Sequence, residues 1–195
     1  MAWETFENKQ YAEAASFFAR AGCSPEEKVK YSYYAGVSYL LGGNYEMGKR
    51  LLIDLVALPS ASEEIEEGLG VSYSTASFAA ILEHGSKKGD VLYVKHAVNA
   101  LGKSFKTLTV AWVDDAGRKN PENPFLRTYV KRDAQASAEA YALFCLARAY
   151  AVANEKDKAK DLLERRLPLI QGTFWEDGKI GDLHKAAEEL LKSLS

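Results

Sequence analysis

Apolar positions recur along most of this chain three and four residues apart, the spacing of one helix face. The longest run is Val91, Val94, Val98, Leu101, Phe105, Leu108 and Trp112, with Lys95, Asn99, Lys103 and Lys106 off the seam. It predicts a helix over 90–113, on the order of 36 Å long at about 1.5 Å per residue. Within it, TLTVAWV also alternates like a strand and is rich in β-branched residues. The unbroken register of the seam favours helix. In residues 29–59, Ala35, Gly36 and Tyr39 share one helical face, and Tyr45, Gly48 and Leu52 share a face of a second helix. Between them Gly43-Asn44 supplies a tight turn and then an N-cap. Small residues facing large ones let two antiparallel helices pack closely.

The pattern repeats. Tyr11, Ala14, Phe18 and Ala21 precede Tyr45, Gly48, Leu52 and Leu55 at one constant offset. Leu143, Leu146, Ala147 and Tyr150 then form a third helix of the same kind, with Asn154 at the turn and Ala159 and Leu163 on its partner helix. Ala147 does not fall a whole number of these periods after Gly36, which calls for an insertion between them. Asp114 to Pro124, DDAGRKNPENP, is dense in turn formers and is its natural place.

Other segments mark boundaries. Ser24-Pro25-Glu26-Glu27 reads as a helix start, with Ser24 as cap, Pro25 at the first helical position and Glu27 closing a capping box. Ser60 or Ser62 can cap another start after Pro59. Residues 62–84 are helical in pattern, with a break at Gly68 and Gly70 and the next turn at Gly85 to Gly89. Asn123-Pro124 can begin the helix that follows the long loop. TFWEDGKIGD, after Gly172, reads as an irregular linker. The closing helix, 182–195, carries the stripe Leu183, Ala186, Ala187, Leu190, Leu191 and Leu194.

The spacing of Gly36, Tyr39, Tyr45, Gly48 and Leu52, and a period of about 34 residues, resembles the tetratricopeptide repeat. The resemblance implies an all-α superhelix of about eight or nine antiparallel helices, irregular in the middle. It would form a single domain over 1–195, with hairpins at about 2–21, 25–59, 62–113 and 124–170 and a capping helix at 182–195. It also implies a concave groove lined by the first helix of each hairpin. The slots are Lys30, Tyr33, Val37, Leu40 and Leu41 in the central hairpin, and Tyr141, Phe144, Arg148, Ala151 and Val152 in the late one. Tyr and Arg are favoured at binding hot spots. The expectation is therefore a non-catalytic adaptor that takes a peptide or helix of a protein partner in an aromatic groove around Lys30, Tyr33, Val37, Leu41, Tyr141, Phe144 and Arg148. The chain's own helix 90–113 is the competing occupant. The alternative function is a self-associating subunit that uses the 90–113 seam, making a homo-oligomer. A clamp for chaperone C-terminal carboxylates is not expected, because Tyr33, Tyr34, Val37, Tyr141 and Cys145 stand where that clamp needs polar residues.

Composition narrows the function classes. A net charge of −2 over 195 residues gives no overall basic footprint, which argues against a nucleic-acid binder. Arg118-Lys119, Arg127 and Lys131-Arg132 cluster locally, a patch for an acidic partner or a solvated helix start. No apolar run approaches the roughly 20 residues of a membrane span, and MAWETFENK has no signal-peptide pattern. The two cysteines, Cys23 and Cys145, are far apart, so a reducing cytoplasm is the expected setting. Cys23, beside a helix start, is a minor candidate for a reactive thiol. His84, His96 and His184 have no histidine or cysteine at ligand spacing, and His184 with Glu188 reads as a surface pair. No nucleophile elbow, Walker loop or dinucleotide motif is present. The chain is expected to be no enzyme and to need no cofactor or metal.

Overall fold

A computed structural model describes residues 2–24, 27–66, 71–102, 138–176 and 179–194. The described part is overwhelmingly helical, with ten α-helices and two short two-stranded sheets. The strand alternative for TLTVAWV, the loop DDAGRKNPENP, the start at Asn123-Pro124, the basic clusters from Arg118 to Arg132, and Pro25, Glu26, Gly68 and Gly70 all lie outside the described residues. The chain packs as two compact units. Unit 1 comprises 1–66 and 72–84, and unit 2 comprises 67–71 and 85–195.

Unit 1 opens with α1 (Ala2–Glu7) and α2 (Tyr11–Ala21), followed by α3 (Lys28–Leu41) and α4 (Tyr45–Val56). The turn between α3 and α4 forms as its residues dictate. Gly43 takes φ +83, and the Asn44 side chain accepts from the Met47 N–H at 3.3 Å. A β-carbon on Gly36 would lie 2.7 Å from Leu52 Cδ2, and one on Gly48 would lie 2.7 Å from the Gly36 carbonyl oxygen. The two helices touch at backbone distance, which only glycine allows. Of the four residue pairs related by the repeat offset, Ala14 and Phe18 are buried, as are Gly48 and Leu52. Phe18 and Ala35 share a core edged by Phe6, Tyr31, Tyr34 and Leu51.

After α4 the chain departs from the expected helix. One turn, α5 (Ser60–Glu63), leads to strands β1 (Ile65–Glu66) and β2 (Val71–Ser72), and helix resumes only at α6 (Tyr73–Lys88). Two glycines within three residues, each costing about 1 kcal/mol in a helix, favour this interruption. Ser72 Oγ then restarts the helix by accepting from the Thr75 N–H at 3.2 Å. The capping box at Ser24 also gives way. Helix α3 begins later, at Lys28, and Glu27 makes no side-chain cap.

Helix α6 runs on past Ser77 to Lys88. In unit 2, Gly89, at φ +72, turns the chain into α7 (Val91–Gly102). Val94 of the long seam and Ala97 beside it are fully buried where α7 packs against α8 (Ala138–Val152). Asn154, at φ +62, makes the turn into α9 (Lys156–Arg166). A short 3-10 turn, Leu167–Leu169, follows, and then β3 (Thr173–Glu176) and β4 (Lys179–Asp182) form an antiparallel hairpin where an irregular linker was expected. The last helix, α10 (Leu183–Ser193), is capped by Asp182, which accepts from the Lys185 N–H at 2.9 Å. Its predicted stripe, from Leu183 to Leu194, packs with Phe144, Ala147, Leu163 and Ile170 in the unit's core.

Residues 28–88 and 138–193 thus repeat an order among their described elements: two antiparallel helices, a short helical turn, two short strands and a helix. Glu66 and Glu176 end the first strands, and the separation between them equals that between the capping residues Ser72 and Asp182.

Candidate functional site

Tyr141, Cys145 and Arg148 stand at i, i+4 and i+7 on α8, one face of the helix. Strand β3 puts Phe174 and Glu176 on the residues of this face, two positions apart and so on one side of the strand. The last turn of α6 adds Ser86 and Lys87. The Arg148 guanidinium grips the Glu176 carboxylate with two bonds, Nη1 to Oε2 at 2.8 Å and Nη2 to Oε1 at 2.7 Å. Its Nε and Nη2 also donate to Ser86 Oγ at 3.0 and 2.7 Å. The Tyr141 hydroxyl donates to Glu176 Oε1 at 2.5 Å, and Lys87 Nζ lies 3.6 Å from Oε2. Phe144 lies under the guanidinium at 5.0 Å, and the Phe174 ring sits 6.0 Å from that of Tyr141 and 5.8 Å from that of Phe144.

The side chains of Arg148 and Glu176 are only 16% and 10% exposed. Burial acts to raise the Glu176 pKa, but the bonds and charge of Arg148, the Tyr141 hydroxyl and the Lys87 charge outweigh it and hold the carboxyl below its ordinary value. Burial acts to lower that of Arg148, and its bonds to Glu176 reverse the effect, so the guanidinium stays charged. Beside them the buried Cys145 thiol is pushed up to about 11 by burial, against the nearby Arg148 charge. Near neutral pH the carboxylate can only accept, the guanidinium can only donate and the thiol keeps its proton. The cluster thus holds one carboxylate between a guanidinium, a phenol and an ammonium.

Unit 1 holds a strand end in a related way. The Tyr34 hydroxyl on α3 donates to the Glu66 carboxylate at the end of β1. Burial and this bond raise the Tyr34 pKa, so the phenol remains a donor. Next to it Tyr33 packs its ring 5.4 Å from that of Tyr73, the first residue of α6.

Neither family models, curated proteins nor solved structures match this chain.

The predicted groove residues are thus divided. Tyr33, Val37 and Phe144 are buried, at 5%, 9% and 5% exposure. Tyr141 and Arg148 are half-buried and engaged with β3. Lys30 is half-buried with its ammonium 5.9 Å over the Tyr31 ring, and Leu41 is exposed. Tyr141 and Arg148 take contacts from β3, Tyr33 packs against Tyr73 at the start of α6, and α7, the described part of helix 90–113, packs on α8. Among the other candidates, the exposed Cys23 donates weakly to the Ala19 carbonyl at 3.8 Å, and His184 Nε2 lies 3.7 Å from Glu188. No group of three potential metal ligands occurs among the described residues, and no described helix is long and apolar enough to cross a membrane.

Glu176, Ser86 and Lys87 escaped the sequence reading. A usable signal for Glu176 was present: Asp177-Gly178 between Thr-Phe-Trp and Lys-Ile is a strong short-range hairpin mark. The register pairs Glu176 with Lys179 across those two residues.

Proposed function

We propose that the chain is a non-catalytic interaction scaffold built from tetratricopeptide-like helical hairpins, which holds an extended segment of a protein partner against the first helix of a hairpin. One observation carries the reading: in each unit that helix already holds an extended segment of the chain itself through tyrosine hydroxyls and a strand-end glutamate. The tetratricopeptide likeness rests on the constant repeat offset and on the glycine contact between α3 and α4. A reducing, cytoplasmic setting fits two free cysteines. With Tyr33 and Tyr141 engaged internally, the first-helix positions facing a partner are Lys30 and Leu41.

A photo-crosslinking residue at Lys30 or Leu41 of the full chain, exposed to extract from the native source, tests this. The expected result is one protein partner captured from both positions and not from a control at Lys160, on the exposed side of α9. Equal capture from all three positions, or from none, overturns it.

A further inference from the structure

An isolated two-stranded hairpin is marginal in water, so the place of β3–β4 depends on the side chains it sets into the core and onto α8. Those side chains are an aromatic ring and, two residues on, a carboxylate. They meet a cradle that fits this pair closely: the rings of Tyr141 and Phe144 for Phe174, and the Arg148 guanidinium, Tyr141 hydroxyl and Lys87 ammonium for Glu176. Ser86 Oγ takes two further Arg148 N–H groups and orients the fork. A planar fork that takes both carboxylate oxygens selects carboxylate over amide.

We propose that β3 is an internal stand-in ligand, and that the α8 cradle recognises in trans an extended protein segment with an aromatic residue followed two positions later by Glu or Asp. This rests on the scaffold reading above and names its partner's chemistry. The tethered strand competes at an effective concentration in the millimolar range, so the partner must displace it, and the contact is autoinhibitory.

The probe is the peptide QGTFWE, copying residues 171–176, amidated at its C-terminus and labelled at its N-terminus. Anisotropy is read with the full wild-type chain and with Glu176→Ala. The variant, its helical circular dichroism spectrum unchanged, is expected to bind about tenfold or more tighter than wild type, and a QGTFWQ peptide to bind about tenfold or more weaker than QGTFWE. Equal binding by variant and wild type, or equal binding of the two peptides, overturns the proposal. If Glu176→Ala fails to fold, hydrogen exchange in the wild type decides. Millimolar QGTFWE must speed exchange of the β3–β4 amides, and unchanged exchange overturns the proposal. Capture at Lys30 and Leu41 does not depend on Glu176. If capture persists while the peptide result fails, the stand-in ligand falls and the scaffold reading stands.

Discussion

Units 1 and 2 each set a strand end against the first helix of a hairpin, and they anchor it with different chemistry. When α3 is aligned on α8, buried Val37 takes the place of Arg148, and Gly36 takes that of Ala147. Unit 1 brings two helices together through glycine and closes the first strand with a tyrosine–glutamate bond. Unit 2 accepts a methyl group in the helix contact and closes its strand with a forked ion pair. One local order thus admits two ways of fixing the strand end, and the charged one puts more at stake on a single side chain.

The largest break in this comparison is expected from Arg148→Met. Removing one partner of a buried pair leaves the Glu176 charge to Tyr141 and Lys87 alone, at about 3 kcal/mol. Adding Glu176→Gln to Arg148→Met should recover most of the loss, because removing both charges removes the desolvation penalty as well. Urea titration of both variants checks this, and a double variant as unstable as the single one would show that packing, not charge, dominates.

Gly48→Ala is expected to cost about 1–3 kcal/mol by overpacking, since the new β-carbon would meet the Gly36 carbonyl at 2.7 Å and neither backbone can yield cheaply. Ala147→Gly in unit 2 should cost about 1–2 kcal/mol, about 0.5–1 from helix entropy and the rest from the buried methyl lost from the core. Thermal melts in which Gly48→Ala raises the stability would refute the backbone contact in unit 1. The two caps sharpen the likeness instead. Ser72→Ala and Asp182→Ala should each cost about 1 kcal/mol, and hydrogen exchange should place the first loss at the start of α6 and the second at the start of α10.

The pH dependence of unit 2 is smallest near neutrality. The Glu176 carboxyl has a lowered folded pKa, so its contribution is full above the unfolded value of about 4.3 and is lost as pH falls through the folded one. The Cys145 thiol is raised from 9.0 to about 11, so its contribution is full below the former and is lost as pH rises toward the latter. Arg148→Met with Glu176→Gln should flatten the acid limb of melting temperature against pH. Cys145→Ala should flatten the alkaline limb, and unchanged limbs would refute both assignments.

What could be read in the residues alone was local. Helix spacing, the Gly43-Asn44 turn, the turn near Gly89 and the stripe from Leu183 to Leu194 depend on contacts three or four residues apart, and such contacts are written into the order of side chains. The β3–β4 hairpin was legible too, through Asp177-Gly178, although its neighbours suit a linker equally well. Two things belong to the tertiary structure alone. The faces of Tyr33, Tyr141 and Arg148 suit an open groove and a filled one alike, because an aromatic helix face looks the same in sequence whether a partner or the chain covers it. Nor does any local rule say which of 27 acidic residues Arg148 will take. Glu176, 28 residues away, is chosen because the hairpin carries it to the one place where a buried guanidinium needs a charge.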